Sequence, residues 1–249
     1  MHILNAKETT MQQLDTAAIP SVIPSADPAK SAKTHNAALT REQLERLRSL
    51  GAATVYEAQG AKGALDSGIK PIDPQSRLVG PAFTVDTRPA DNLMLHYALL
   101  KARPGDVLVV DAKGFLEAGP WGDVLTAAAM KAGIVGLLIH GAVRDASQIV
   151  ETGFPVFCRG LSIKGTGKHQ PGRLDVPVCI GDAVIRPGDV IVGDRDGVVV
   201  VARDEVDAVI ASAEAREAKE AGQRSAIERG VSTAELLGLM PVLQRLALN

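Results

Sequence analysis

The segment Gly119-Pro120-Trp121-Gly122-Asp123 is followed by twenty residues and then by Arg144-Asp145. These residue types suit the handling of a carboxylate beside a cation. A Gly-rich loop leading from a strand into a helix presents backbone N–H groups, and the first helical turn adds more. Together they form a natural carboxylate site, here around Gly122, Asp123 and Val124. Arg144 carries the planar fork that grips a carboxylate bidentately. Asp123 and Asp145 bring hard oxygen ligands of the kind that Mg²⁺ or Mn²⁺ prefers. Each feature also has a plainer reading. Asp123 is equally a helix N-terminal cap, contributing about 0.5–2 kcal/mol. Arg144-Asp145 is equally a surface ion pair, and Trp121 equally a packing residue.

Positioning these groups together requires strands that deliver both loops to one edge. Residues 107–112 (VLVVDA) form a short β-branched apolar run after the turn Arg103-Pro104-Gly105-Asp106. Residues 122–133 are Ala-rich, helical in pattern, and closed by Gly133. Residues 135–141 (VGLLIHG) read as a second buried strand, 145–151 as a helix and 154–160 (FPVFCRG) as a third strand. Strands separated by helices argue for parallel neighbours. In a parallel α/β layer, the loops after successive strands leave on the same edge, so Arg144 faces the anion site made by the Gly-rich loop.

Three further features complete the organisation. Thr40 and Gln43 have capping-box spacing before a helix with Leu44, Leu47 and Leu50 on one stripe and Gly51 as its stop. A second short helix holds Val55, Tyr56 and Glu57 and ends near Gly60. The sequence RPGDVLVVD (103–111) is echoed by RPGDVIVGD (186–194), read as two independent strands using one type of turn. The run 196–202 pairs with the second copy through a short turn at Arg195–Gly197. From Glu205 to Arg229 the chain reads as one long polar helix with too little apolar face for a single core, suited to lying across a neighbouring subunit. Residues 1–38 differ in composition and read as an N-terminal extension or arm, with a single domain over 39–249.

Composition excludes several classes. The chain has 249 residues, 46% apolar and 22% charged, with a net charge of -2. That balance gives no basic face for nucleic acid. No apolar run spans a bilayer, and no signal peptide is apparent. Cys158 and Cys179 lack metal-type spacing and read as buried thiols in a reducing cytoplasm.

The residues around Asp123, Arg144 and Asp145 resemble the RraA-like family, especially its 4-hydroxy-4-methyl-2-oxoglutarate / 4-carboxy-4-hydroxy-2-oxoadipate aldolase branch. That branch is marked by Asp, twenty residues, then Arg-Asp. The resemblance runs from Leu44 to Leu239. It includes residues 53–58 (ATVYEA), 80–85 (GPAFTV), 91–96 (DNLMLH), both Pro-Gly-Asp-Val strands and 213–218 (AEAREA). It implies an α/β fold like the swivelling ββα domain of phosphohistidine proteins, with a long C-terminal helix, assembled as a homotrimer or hexamer. It implies that Arg144 binds the carboxylate of a 2-oxo acid and that Asp145 holds Mg²⁺ or Mn²⁺, directly or through water. It further implies that a Glu from a neighbour's C-terminal helix completes the site, by position Glu220, with Glu217 the second choice. Glu57 matches an acidic residue lining the same pocket. The implied activity is aldol cleavage to pyruvate through an enolate, with oxaloacetate decarboxylation as a second reaction. Tyr56 stands where relatives often have His, and Gln59 where they often have Met, which bears on side-chain selectivity.

Other residues compete for a role. His140 ends a buried strand and reads as structural rather than catalytic. His96 reads as core or pocket wall. Gly165-Thr166-Gly167-Lys168 lacks the full phosphate-loop pattern and reads as a mobile loop. A Schiff-base aldolase using Lys113 or Lys164 is the catalytic alternative. A non-catalytic regulator that binds a protein partner, as RraA does with ribonuclease E, is the other.

Overall fold

A computed structural model describes residues 39–248. The reading of residues 1–38 as an extension lies outside the described residues. The first elements are α1 (Arg41–Ser49), α2 (Ala52–Ala58), β1 (Lys70–Pro71), β2 (Leu78–Asp86), α3 (Leu93–Leu99) and β3 (Val107–Phe115). Next come α4 (Asp123–Lys131), β4 (Gly136–Val143), α5 (Ala146–Thr152), β5 (Val156–Leu161), β6 (Arg173–Leu174), β7 (Val178–Ile180) and β8 (Ala183–Ile185). The chain continues through β9 (Val190–Gly193), β10 (Val198–Val201), α6 (Val206–Glu228), α7 (Thr233–Leu236) and α8 (Met240–Arg245).

The expected parallel layer is present. β2, β3, β4 and β5 are parallel neighbours in sequence order, with α3, α4 and α5 as their crossovers. The register explains the two cores. Val85, Val110, Ile139 and Cys158 lie side by side across the four strands, and all four belong to the core shared with α3, α4 and α5. One residue back, Val109, Leu138 and Phe157 form the adjacent row and face the opposite core. Period-2 alternation sorts side chains to the two faces. Both faces are covered, so these strands read as continuous apolar runs.

β9 and β10 extend the sheet antiparallel beyond β2, and β1 caps β5 at the other side. Ala64 bridges to Val199, which curls the sheet into a nearly closed form around Ile69, Leu78, Phe157 and Ile191, with the β7–β8 hairpin closing one side. A third core joins α1, α2 and the first half of α6 to β9 and β10 through Leu47, Leu50, Val55, Val209, Ile210 and Val199.

Several local expectations hold. Thr40 and Gln43 form the reciprocal capping box, at 3.0 and 3.1 Å. The two Arg-Pro-Gly-Asp turns are built alike. Asp106 accepts from the Arg103 N–H at 2.7 Å, and Asp189 from the Arg186 N–H at 2.8 Å. One turn leads into a parallel strand and the other into an antiparallel one. On α6, Val206, Val209, Ile210 and Ala213 are buried, and of the residues beyond them only Ala226 is.

Other expectations are corrected. Gly51 does not stop α1. The helix ends on extended Leu50, and Gly51, at φ -74°, serves as the N-cap of α2. β3 runs to Phe115 rather than Ala112, because a register shift after Val110 absorbs Lys113 and Gly114. Cys158 is buried and its thiol is pushed up to about 11 by burial, but Cys179 is exposed on β7. Alternation along this three-residue hairpin strand turns the middle side chain outside while Val178 and Ile180 face in. β2, which pairs with three other strands, is signalled least in the sequence, since Gly80-Pro81 punctuates its middle.

Phe157 is fully buried between the strands. Phe157→Ala should lose about 3–5 kcal/mol of stability, measured by urea denaturation.

Candidate active site

The C-terminal ends of β2 through β5 meet at one edge, and the loops leaving them build a cavity of about 380 Å³. Gly119, Pro120, Gly122, Asp123 and Val124 form one wall, and Arg144 projects from the next loop. Asn92, at the N-cap position of α3, and His96 on that helix add a second wall, and Gly165, Thr166 and Lys168 come from the segment after β5.

The Gly-rich loop is fixed from behind. Trp121 is fully buried, stacks on Phe154 at 6.4 Å and donates its indole N–H to Thr126 Oγ1 at 2.8 Å. The Thr126 hydroxyl donates to the Gly122 carbonyl at 3.0 Å. Trp121 is therefore a packing residue, as its plainer reading holds. The Arg144 N–H donates to the Trp121 carbonyl at 2.9 Å, and the Asn92 amide donates to the Pro120 carbonyl at 3.0 Å. Two glycines permit the close approach. A Cβ on Gly119 would collide with the Ser162 carbonyl, and one on Gly122 would overlap the Asp145 carboxylate.

Asp145 sits at φ 57°, the left-handed region that few non-glycine residues adopt. It occupies the N-cap position of α5, yet its side chain caps nothing there. Its carboxylate instead turns back to accept from the Asp123 N–H and stands beside Arg144 Nε, both at 3.3 Å. The three residues singled out by spacing thus converge. Arg144 and Asp145 remain partly exposed, at 44% and 34% of their side chains, so a ligand can reach them.

The wall formed by residues 165–168 is a correction. The segment is pinned rather than loose. The Gly167 N–H donates to Ala90 and its carbonyl accepts from Asn92, at 2.9 and 3.0 Å. Asp91, 2% exposed, accepts from the N–H groups of His169, Leu93 and Gln170. Burial alone would raise the Asp91 pKa, but these three bonds hold it below the usual carboxylate value. His96 lies in the cavity wall, one of its two expected places. Its pKa is lowered, first by burial and then by the charge of Lys168. Asn92 and Lys168 were not distinguishable in the sequence, since only the fold brings α3 and the post-β5 segment together.

Glu57 and Glu220 do not line this cavity within one chain. They share Arg216, which pairs with Glu57 and stands 3.0 Å from Glu220, a pairing by distance rather than hydrogen-bond geometry. Arg224 adds a 3.7 Å contact to Glu220. Glu217 lies partly buried on the same helix.

Among the described residues no group of three or more His, Cys, Asp and Glu gathers as a ready metal cage. Asp123 and Asp145 nevertheless offer two carboxylates at one site. Mg²⁺ and Mn²⁺ are commonly held by one or two carboxylates with waters completing the octahedron, so this oxygen donor set fits them.

The lysine alternatives are placed elsewhere. Lys113 lies 2.6 Å from both Asp86 and Asp111. Burial opposes its charge, but those two partners hold its pKa above the ordinary value, which suits a fixed ammonium rather than an amine nucleophile. Lys164 pairs with Glu117 at 2.5 Å. His140 lies 3.4 Å from Asp111, away from the cavity.

A parallel α/β layer with an Arg-Asp pair at its carboxyl edge defines the class. The particular family follows from comparison. Residues 52–200 match the RraA-like family model, described as Aldolase/RraA, and the chain belongs to that family. A relative from Halalkalibacterium halodurans is 36% identical over 188 residues, 76% of this chain and 90% of its own length. Its provisional name is 4-hydroxy-4-methyl-2-oxoglutarate aldolase. A solved structure from Pseudomonas syringae pv. tomato, of uncharacterised function, superposes with a TM-score of 0.70 at 30% identity, covering 79% of this chain and 96% of that one. The structure of Streptomyces coelicolor RraAS2, named as an unusual member of the RNase ES inhibitor family, gives a TM-score of 0.66 at 31% identity, covering 75% and 98%.

Gly122→Ala should keep the fold yet lower turnover about 10²-fold by displacing Arg144 and Asp145, read by circular dichroism beside activity. The His96 ring should titrate below about 6.5, and Lys168→Ala should move that midpoint upward, followed by NMR.

Proposed function

We propose that this chain is a divalent-metal-dependent aldolase cleaving 4-hydroxy-2-oxo acids, such as 4-hydroxy-4-methyl-2-oxoglutarate or 4-carboxy-4-hydroxy-2-oxoadipate, to pyruvate and a second oxo acid. The observation that carries this reading is the convergence of the Arg144 fork, the Asp145 carboxylate and the Asp123 backbone on one open cavity. The provisional aldolase name of the Halalkalibacterium relative points the same way.

In this reading Arg144 holds the substrate's C1 carboxylate, with the amides around Gly122, Asp123 and Val124 beside it. Mg²⁺ or Mn²⁺, held by Asp145 and its own waters, would supply Lewis-acid polarisation of the 2-oxo group. Removal of the C4 hydroxyl proton lets that oxygen form the new carbonyl. The C3–C4 bond electrons move to C3, giving the pyruvate enolate, and a proton returned to C3 yields pyruvate. Arg144 is a fixed positive charge near the developing oxyanion and needs no reorganisation as charge grows. Lys168, on the facing wall, is suited to a substrate's second carboxylate. Oxaloacetate decarboxylation reaches the same enolate.

Glu57 and Glu220 enter as proposed contributors to proton handling across a subunit boundary, in a homotrimer or hexamer. The second half of α6, carrying Glu217 and Glu220, has little buried apolar surface of its own, and supports the idea that it reaches a neighbour. Mixing two inactive variants, Arg144→Ala and Glu220→Ala, should then restore activity in exchanged subunits. Verified mixed assemblies without activity would remove the shared site.

EDTA should abolish pyruvate release from the hydroxy-oxo acid and from oxaloacetate, with Mg²⁺ or Mn²⁺ restoring both. Asp145→Asn should be partly rescued by excess metal. Arg144→Ala should not be rescued and should lose about 10²-fold or more in rate. Full activity after metal removal would overturn the mechanism. A folded protein inert toward the whole substrate panel would favour the RraA-type regulator that the Streptomyces relative's name describes.

A further inference from the structure

A second cavity, of about 420 Å³, opens on the same edge of the sheet, lined by Asp86, Arg88, Lys113, Pro171, Gly172 and Arg173. It shares no lining residue with the candidate active site. Between the two lies the turn at His169 and Gln170, held by the buried Asp91 carboxylate. The proposed aldol reaction makes no use of this cavity.

Its charges are organised. Asp86 accepts from Lys113 at 2.6 Å and from two nitrogens of Arg173 at 3.1 and 2.8 Å. Asp111, 6% exposed, takes a second bond from Lys113 at 2.6 Å. Both carboxylates are therefore spent on cations already present. Three cations face two carboxylates, and Arg88 has no acidic partner among the described residues. Arg88 is exposed at the rim, and Arg173 keeps N–H groups that Asp86 does not use. Two guanidinium groups with open donors match the planar geometry of a carboxylate.

The backbone is bent to build this place. Lys113 sits at φ 61° and Gly114 at φ 67°, interrupting β3 where its register against β4 shifts. The Lys113 N–H is turned onto Asp111 at 2.9 Å. A left-handed lysine inside a strand is a local cost that ordinary sheet pairing does not require. Opposite it, Gly172 approaches β2 so closely that a Cβ would overlap the Asp86 carbonyl. The close fit leaves no room for a side chain at position 172 in the cavity's lining.

We propose that this cavity is a second anion site, binding a compact carboxylate through Arg88 and Arg173, with the partly exposed Lys113 ammonium adding positive charge to its wall. The site stands independently of the aldolase reading. Succinate is the probe, titrated calorimetrically into the full-length protein. Arg144→Ala serves as the background, because it removes the carboxylate grip of the first cavity. Succinate should bind this variant, and adding Arg88→Ala should weaken that binding about tenfold or more without changing the thermal melt of the ligand-free protein. The charge reversal Arg88→Glu should abolish it. The site is overturned if succinate binding disappears in Arg144→Ala alone. It is equally overturned if binding survives Arg88→Glu unchanged, or if a structure of the assembled protein shows a neighbour's carboxylate seated on Arg88.

Discussion

Two chain segments pass each other at Gly119 and Gly122 with no side chain between them, and the site depends on that approach. The loop before α4 must lie against the backbone of Arg144 for the Asp145 carboxylate to reach the Asp123 N–H. A methyl group at Gly119 would meet the Ser162 carbonyl, and one at Gly122 would displace the Asp145 carboxylate and the Arg144 side chain. The buried Trp121–Thr126–Gly122 chain of hydrogen bonds holds one side of the crossing, and the Arg144 N–H to Trp121 carbonyl bond closes it. Side chains set this way hold their positions without a ligand, and such preorganisation lowers the entropy cost of capturing one.

The Asp–Arg–Asp constellation was legible because its members leave consecutive parallel strands. Alternating strand and helix patterns placed residues 107–112, 135–141 and 154–160 in one layer, and the edge rule then brought residues 123 and 144 together. Much else at the site was not legible. Asn92 and Lys168 meet only after the segment following β5 folds back along α3, and nothing local in their sequence announces that path. Residues 165–168 look loose as a string of Gly, Thr and Lys. Their order comes from Asp91, a distant buried carboxylate that supplies acceptors to the turn just beyond them. Local composition does not reveal such long-range pinning. β2 was hidden for the opposite reason. Gly80 and Pro81 signal a break, yet Pro81 lies where the partner changes and the neighbouring Ala82 N–H takes up the pairing with Asp189 at 2.8 Å.

The long helix α6 separates into two physical regimes. Its first turns are ordinary core, packed on β9 and β10 and tied to α1 by the Arg46–Glu214 fork at 2.7 Å. Beyond Ala213 charge takes over, and Arg216 stands between Glu57 and Glu220 as a shared counter-ion. Exposed pairs of this kind contribute little stability. Their consequence is that both acids share one counter-ion while Arg216 keeps that position. A role for Glu220 in proton handling therefore involves Arg216 as well, and loss of that arginine would act on both acids at once.

β2 joins parts of the molecule that could otherwise come apart separately. Its first half pairs with β9, its second half with β6, and its other side with β3. The strand thus belongs at once to the helix-covered layer, to the curled antiparallel side and to the edge bearing both cavities. Opening either layer means breaking hydrogen bonds on this one strand. Regions linked in that way exchange their amide hydrogens as a unit, so the slowest protons of the two halves report a common opening event. The segment that carries Arg144 and Asp145 leaves β4, which reaches that seam through β3.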